Sequence, residues 1–357
     1  MNTKHLKVPC LISSLVALMG ASAAAEPDAA ASTDTSRGFA LAPKDALMIE
    51  RAPAPLYRDP ILDGVADPSV VYHEPDGSWL IYYTQRRANI PTPGVAWAFG
   101  CKVGIARSTD KGRSWLYAGT AKGIACGSEL DTFWAPHVFK DGEVFHMFVT
   151  YIDRIPDRFG GGNPTIRHYT SKDGLNWEFS DVVDTGSDDI IDAAVVKLPD
   201  ERWLLVFRDC NAGSRTAMCV STDLKEWERL PQAVGEHRHE APVIFTWKDR
   251  YWMLIDEWEG LGAYVSEDGL SYERNGRILK EPGRRPDDGV RASHPGVAVV
   301  GDRAFVFYHT HPDQRPGVEE WETTNTHTYQ YKRSSLQIAE LKVRDGKLVC
   351  DRDEFAK

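Results

Sequence analysis

The sequence predicts an all-β protein, a five-bladed β-propeller, on three observations. Helical periodicity is nearly absent, and short alternating or apolar runs are separated by turn residues. One unit occurs five times: an apolar strand, a turn rich in Asp and Gly, then an aromatic-rich strand. Between the units sits a second signature, a serine and an aspartate shortly before an aromatic residue.

The five units follow one another at spacings of roughly fifty to seventy residues. "ADPSVVYHEPDGSWLIYYTQ" begins at Ala66 and "WAPHVFKDGEVFHMFVTY" at Trp134. "IDAAVVKLPDERWLLVF" begins at Ile191, "HEAPVIFTWKDRYWMLID" at His239 and "SHPGVAVVGDRAFVFYHTH" at Ser293. The second signature reads "STDKGRSW" ending at Trp115, "SKDGLNW" at Trp177, "STDLKEW" at Trp227 and "SEDGLSY" at Tyr272. Ser and Asp bond their own backbone in tight turns, so these are the expected turns between the outer strands of a blade. A strand pair, this turn and the next apolar strand make a four-stranded blade. The tail "RSSLQIAELKVRDGKLVCD" completes the fifth, with residues 40–60 available to help. The propeller is expected over residues 46–357, and "EPDAAASTDTS" within residues 26–45 reads as a flexible linker.

Residues 1–25 read as a secretory signal: Lys4 and Lys7, an apolar run, then small residues in A-x-A spacing, with cleavage after Ala25. The apolar run is shorter than the roughly twenty residues of a membrane span, and no other segment approaches that length. The expectation is a periplasmic or secreted protein. Removing Lys4 and Lys7 takes the formal charge from -10 to -12. An acidic chain with no basic block is a poor binder of nucleic acid or anionic membranes. Of the cysteines outside the leader, Cys210 and Cys219 flank "NAGSRTAM", a hairpin that would bring them together as a disulfide. Cys101 with Cys126 is a second pairing, leaving Cys350 over, and the spacings fit no zinc pattern.

In a propeller the first strand of every blade lines the central axis, so the strand beginnings converge on one funnel. They contribute Asp67, Trp134 with Asp131 before it, Asp192, His239 with Glu240, and His294, which sets Asp67, Asp192 and Glu240 at one structural level. A carboxylate at the mouth of an apolar strand is costly unless it has a function. Three acids around one apolar-walled pocket split their pKa values, one ionised and another protonated, as acid/base cleavage of a glycoside requires.

The order Asp in blade one, Asp in blade three and Glu in blade four resembles glycoside hydrolase family 43, carried by "ADPSVV", "WAPHVFKDGEVFHMFVTY" and the last blade's His. The resemblance implies Asp67 as general base, Asp192 as pKa-tuning and orienting residue, and Glu240 as general acid, with inversion at the anomeric carbon. It also implies that His294 lies near an axial water or metal, so a structural divalent cation such as calcium has a place there, while the chemistry requires no cofactor. His239 directly before Glu240 is similar instead to glycoside hydrolase family 117, whose members release 3,6-anhydro-L-galactose from agar-derived oligosaccharides. That resemblance makes His239 a rival acid, because an imidazole donates near neutral pH without a large shift.

Further candidates are Arg86 and Arg87 in "YYTQRRANIP", Arg208 after "LLVF", and Arg291 ahead of His294, all placed to contact substrate. His309 and His311 in "FYHTHP" alternate on a strand and share a face. Long loops at 85–100 and 153–166 close the funnel into a pocket, which suits cleavage from a chain end. The expected partner is an oligosaccharide derived from plant or algal polysaccharide, and a homodimer is left open. The serine-aspartate turns also resemble those of sialidases, although these have six blades, a Tyr nucleophile and three Arg on the substrate carboxylate. A non-catalytic sugar-binding propeller would keep the aromatics but has no need of three axial acids.

Overall fold

The computed structural model describes residues 42–356, apart from Cys126, Glu129 and Pro316. The expected leader and residues 26–41 of the expected linker lie outside the described residues. The chain folds into five antiparallel sheets of four strands each. The innermost strands are Val65–His73, Thr132–Asp141, Ile190–Lys197, Glu240–Trp247 and Ser293–Val300. Each touches the innermost strands before and after it, and the fifth touches the first, so the ring closes. The result is the five-bladed propeller that the repeats predict.

Apolar side chains fill the gaps between blades rather than one central core. Tyr82 and Ile105 of blade one meet Phe133 and Met147 of blade two, and Phe148 of blade two meets Leu205 and Phe207 of blade three. Val206 and Met218 of blade three meet Ile244 and Met253 of blade four, whose Leu254 and Trp252 meet Val306 and Tyr308 of blade five. Both faces of these strands are buried, which explains why they read as continuous apolar runs rather than as alternation.

The closing gap, between blades five and one, receives residues 42–57. Ala42, Leu47, Ile49 and Leu56 pack there with Val65 and Phe305. Ala42 bridges to Val300, Tyr57 bridges to Leu336, and the Trp79 indole donates to the Ala46 carbonyl at 2.7 Å. The C-terminal strands Ser335–Arg344 and Lys347–Cys350 complete blade five. Ahead of them the chain inserts a small hairpin, Trp321–Thr323 with Thr326–His327, and a helical turn, Tyr329–Lys332, capped by the Thr328 side chain.

The four serine-aspartate turns lie where the sequence places them, between third and fourth strands. Ser171 Oγ accepts the Gly174 N–H at 3.0 Å, while Asp173 Oδ1 accepts those of Leu175 and Asn176, both at 2.8 Å. Ser266 and Asp268 repeat the pattern with Gly269, Leu270 and Ser271. Cys210 and Cys219 are both free thiols, which corrects the expected disulfide. Asp209 pairs with Arg215 at the mouth of that hairpin, so Cys210 belongs to the turn while Cys219 sits well inside the strand opposite Leu205. The second pairing, Cys101 with Cys126, falls on a residue outside the description, and Cys350 is free.

Candidate active site

Every innermost strand carries the same irregularity near its start. Its ladder with the second strand slips, for example between Ala66 and Ser69, Glu240 and Val243, and Ser293 and Gly296. At each slip one residue takes a left-handed backbone: Asp67 (φ 54°), Ala135 (47°), Asp192 (59°), Ala241 (54°) and His294 (39°). Pro68, Pro136, Pro242 and Pro295 follow four of them, residues with no N–H to leave unpaired at a bulge. A non-glycine residue in this region costs about 1–2 kcal/mol, so five such sites at the axis need neighbours that hold them.

The holding groups come from the preceding blade. Thr84 Oγ1 accepts the Ala135 N–H at 2.8 Å, and Thr150 Oγ1 accepts that of Asp192 at 3.0 Å. Asp256 Oδ2 accepts the His294 N–H at 3.0 Å, and His309 Nδ1 accepts that of Asp67 at 3.3 Å. All four occupy equivalent positions on second strands, opposite Ala66, Trp134, Glu240 and Ser293. The fifth such position, opposite Ile191, is Arg208. An arginine cannot accept, so Asp192 Oδ2 takes the Ala241 N–H instead, at 3.0 Å. Arg208 is thereby free to donate from Nη1 to Glu240 Oε2 at 3.0 Å.

This register corrects one expectation. Glu240 is not level with Asp67 and Asp192 but stands one position ahead, level with Ala66, Trp134, Ile191 and Ser293. The bulge is what keeps it in the cluster, because the bond from Ala241 N–H to Asp192 ties the two strand starts together.

His239 is the second correction. The residue is 1% exposed, and its Nε2 accepts the Thr216 N–H at 2.9 Å while lying 2.7 Å from Thr216 Oγ1. Nδ1 donates to the His237 carbonyl at 2.9 Å. Thr216 belongs to the third strand of blade three, so His239 faces that blade's outer strands, not the axis. Burial also pushes its pKa down. A neutral imidazole with both nitrogens engaged has no proton for a substrate.

The electrostatics separate the carboxyl groups. Burial opposes ionisation of Asp67, yet Arg86, His294 and His309 outweigh it and hold the carboxyl well below the usual range. Arg86 Nη2 lies 3.2 Å from both Asp67 oxygens, and His294 Nδ1 is 3.2 Å from Oδ1. Asp192 is pushed up to about 7, by burial first and by the Asp67 charge second. Burial and the Asp192 charge raise Glu240 in turn, against the pull of Arg208. A fourth acid, Asp256, was not among the sequence candidates; it is 1% exposed and pushed up to about 6 by burial and by Glu240.

The remaining candidates divide. Arg86 and Arg208 reach the axial acids directly, and Arg291 lies 3.5 Å from Asp256 and 2.9 Å from Ser293 Oγ. Arg87 does not join them: its guanidinium turns into the 94–100 loop and donates to the Ala96 carbonyl. Trp134 packs on Phe99 with ring centroids 4.5 Å apart and donates to the Ala98 carbonyl at 2.6 Å. His311 lies against Arg86 at 3.3 Å and contacts the Trp97 ring, as does His327 of the inserted hairpin. The 94–100 loop is fastened to that hairpin through Gly94 N–H and the Asn325 carbonyl, 2.8 Å apart. Among the described residues no group of three or more His, Cys, Asp or Glu is placed to hold a metal, and His294 Nδ1 is turned onto Asp67.

No protein-family model matches the chain, and no curated protein matches it in sequence. In structure it is similar to a thermostable family-43 glycoside hydrolase, with 21% identity and a TM-score of 0.54 over 83% of this chain and 96% of that one. It is also similar to a family-43 β-xylosidase/α-arabinofuranosidase from a compost microbial metagenome, in complex with xylotriose: 12% identity, TM-score 0.58, covering 81% and 94%. An exo-1,5-α-L-arabinanase from a bovine ruminal metagenomic library aligns at 16% identity and TM-score 0.53, covering 81% and 97%. These likenesses show a shared propeller fold.

Proposed function

We propose that this protein is a glycoside hydrolase whose active site is the axial cluster of Asp67, Asp192 and Glu240. One observation carries the reading: neighbouring carboxyls, Asp67 and Asp192 buried and Glu240 half-buried, are driven apart, with Asp67 held ionised while Asp192 and Glu240 are raised. A carboxylate beside protonated carboxyls is the pairing that water attack and leaving-group protonation need. Asp67 takes the proton from a water as its oxygen attacks the anomeric carbon. Glu240 gives its proton to the glycosidic oxygen as the bond to that carbon breaks, so charge balances and the configuration inverts. A carboxylate so well compensated is a weak base, and its contribution comes from the fixed position that Arg86, His294 and His309 give it. Asp192 tunes Glu240 and orients it through the Ala241 bond.

The substrate is an oligosaccharide end from plant or algal polysaccharide, met outside the cytoplasm. Support for end-on cleavage is the wall that the 94–100 loop, its fastened hairpin and Trp134 raise beside the axis. The sialidase alternative is disfavoured because Arg86, Arg208 and Arg291 are each engaged by a carboxylate of the protein itself. The acid of the family-117 alternative, His239, faces away from the axis. The test is a time course on arabinan, xylan, agar, carrageenan and ulvan oligosaccharides with parent and Asp67→Asn. Release of single terminal sugars that falls at least about 100-fold in the variant is expected. Mid-length products, or a variant of parental activity, would refute the reading.

A further inference from the structure

Across the five blades, the residue ahead of each left-handed position faces a partner on the second strand. The pairs are Ala66 with Thr84, Trp134 with Thr150, Ile191 with Arg208, Glu240 with Asp256 and Ser293 with His309. Blade four is the one that sets two acids against each other. Directly opposed residues of an antiparallel pair project to the same face with Cβ atoms about 5 Å apart, and like charges there oppose folding. The structural duty at this position is acceptance of the next blade's N–H, and blades one and two discharge it with a neutral threonine. The cap therefore does not account for a carboxylate in blade four.

The rest of the Asp256 carboxylate has its own setting. Oδ1 accepts the Trp258 N–H at 2.7 Å and lies 3.5 Å from Arg291 Nη1, while Oδ2 takes the His294 N–H at 3.0 Å. From the neighbouring blade Arg208 and Asp192 act on Glu240, Arg208 through a 3.0 Å contact. The cluster is thus a row, Arg208–Glu240–Asp256–Arg291, with the two acids in the middle. A local conflict of this kind, kept where a threonine would serve the fold, marks a functional position.

We propose that Asp256 is a positioning residue for the acid step, a fourth axial carboxylate whose charge, rather than its cap, acts on Glu240 across the strand pair. Two carboxyls this close, Asp256 buried and Glu240 half-buried, share one proton beyond the pH at which a lone Glu would lose it. Neutralising Asp256 leaves Asp192 as the one remaining acid beside Glu240, against Arg208 and His294, which both favour its ionised form. The acid proton is then lost at lower pH.

This inference rests on the role of Glu240 proposed above, so the experiment reads Glu240 directly as well as through activity. The Cδ resonance of Glu240, assigned with Glu240→Gln, is titrated in protein carrying 13C-carboxyl-labelled glutamate, as parent, Asp256→Thr, Asp256→Asn and Asp256→Glu. A unit charge about 5 Å away, at an effective dielectric near 20, gives an expected downward shift of about two pH units in the Thr and Asn variants. Asp256→Glu should stay within about half a unit of the parent. The alkaline limb of kcat/KM should move with the NMR midpoint, and losses at pH 7 should be greatest for poor leaving groups. An unchanged midpoint in Asp256→Asn overturns the proposal, as does a Glu variant that behaves like Asn. If the midpoint falls but no variant or parent cleaves a glycoside, the hydrolase reading fails and the coupling stands.

Discussion

Replacing Arg86 by methionine keeps the aliphatic stem and removes the charge closest to Asp67. Asp67 is 4% exposed, so its carboxylate is left in a nearly dry site. Breaking a buried ion pair by deleting one partner costs about 3–5 kcal/mol. Two features reduce that figure here. The Arg86 side chain is 21% exposed, and His294 remains 3.2 Å from Asp67. About 2–3 kcal/mol at pH 7 is the resulting expectation. Urea unfolding followed by tryptophan fluorescence measures it, in the parent and in an Asp67→Asn background. With no carboxylate to strand, Arg86→Met should cost about 1 kcal/mol or less in that background. The pH dependence has a defined sign. Asp67 is depressed in the fold, so its contribution is present above about pH 4 and lost as pH falls toward the folded value. The gap between parent and Arg86→Met should therefore close below pH 4. Equal costs in both backgrounds, or a gap independent of pH, would refute the reasoning.

Asp192 works in the opposite direction: its raised pKa favours the fold at low pH and loses that contribution as pH rises from about 4 through 7. Asp192→Asn should flatten the decline of unfolding free energy between pH 5 and 8 by about 2 kcal/mol, and an unchanged slope would contradict the shift. His239→Gln should lower stability by about 1–3 kcal/mol through its buried bonds to Thr216 and His237, yet leave activity within about tenfold of the parent. A thousandfold loss of activity in a folded protein would return His239 to the chemistry. Alkylation of unfolded, unreduced protein should label both Cys210 and Cys219, whereas recovery of the pair as a cystine peptide would contradict the free thiols.

Much of the architecture was legible because the inner strands are apolar runs and four of the outer turns are chemically marked. "SKDGLNW" could be placed between outer strands because Ser171 and Asp173 fold the turn with their own oxygens. The position of Asp67 and Asp192 at strand starts was legible for the same reason. What escaped was the bulge. A one-residue slip reverses the side chain's face, and neither ionisable residue of "HEAPV" announces that Ala241, not Glu240, takes the left-handed backbone. Pro242 was the available signal, aligned with Pro68, Pro136 and Pro295. Asp256 escaped because it ends a second strand, where an acid reads as the start of a turn. Arg86 and Arg87 show the limit of composition: adjacent and identical, they point to opposite duties, one to Asp67 and one to a loop carbonyl.

The central claim is that Glu240 delivers the proton to the departing oxygen, and Glu240→Gln tests it most directly. The measurement is kcat/KM at pH 7 for parent and variant, on the oligosaccharide the parent cleaves and on an activated aryl glycoside of the same sugar. Loss of a general acid is worth about 100- to 10,000-fold where the leaving group needs protonation and little where it does not. The account predicts that loss on the oligosaccharide with aryl glycoside activity kept within about tenfold. Near-parental cleavage of the oligosaccharide by folded Glu240→Gln would contradict it.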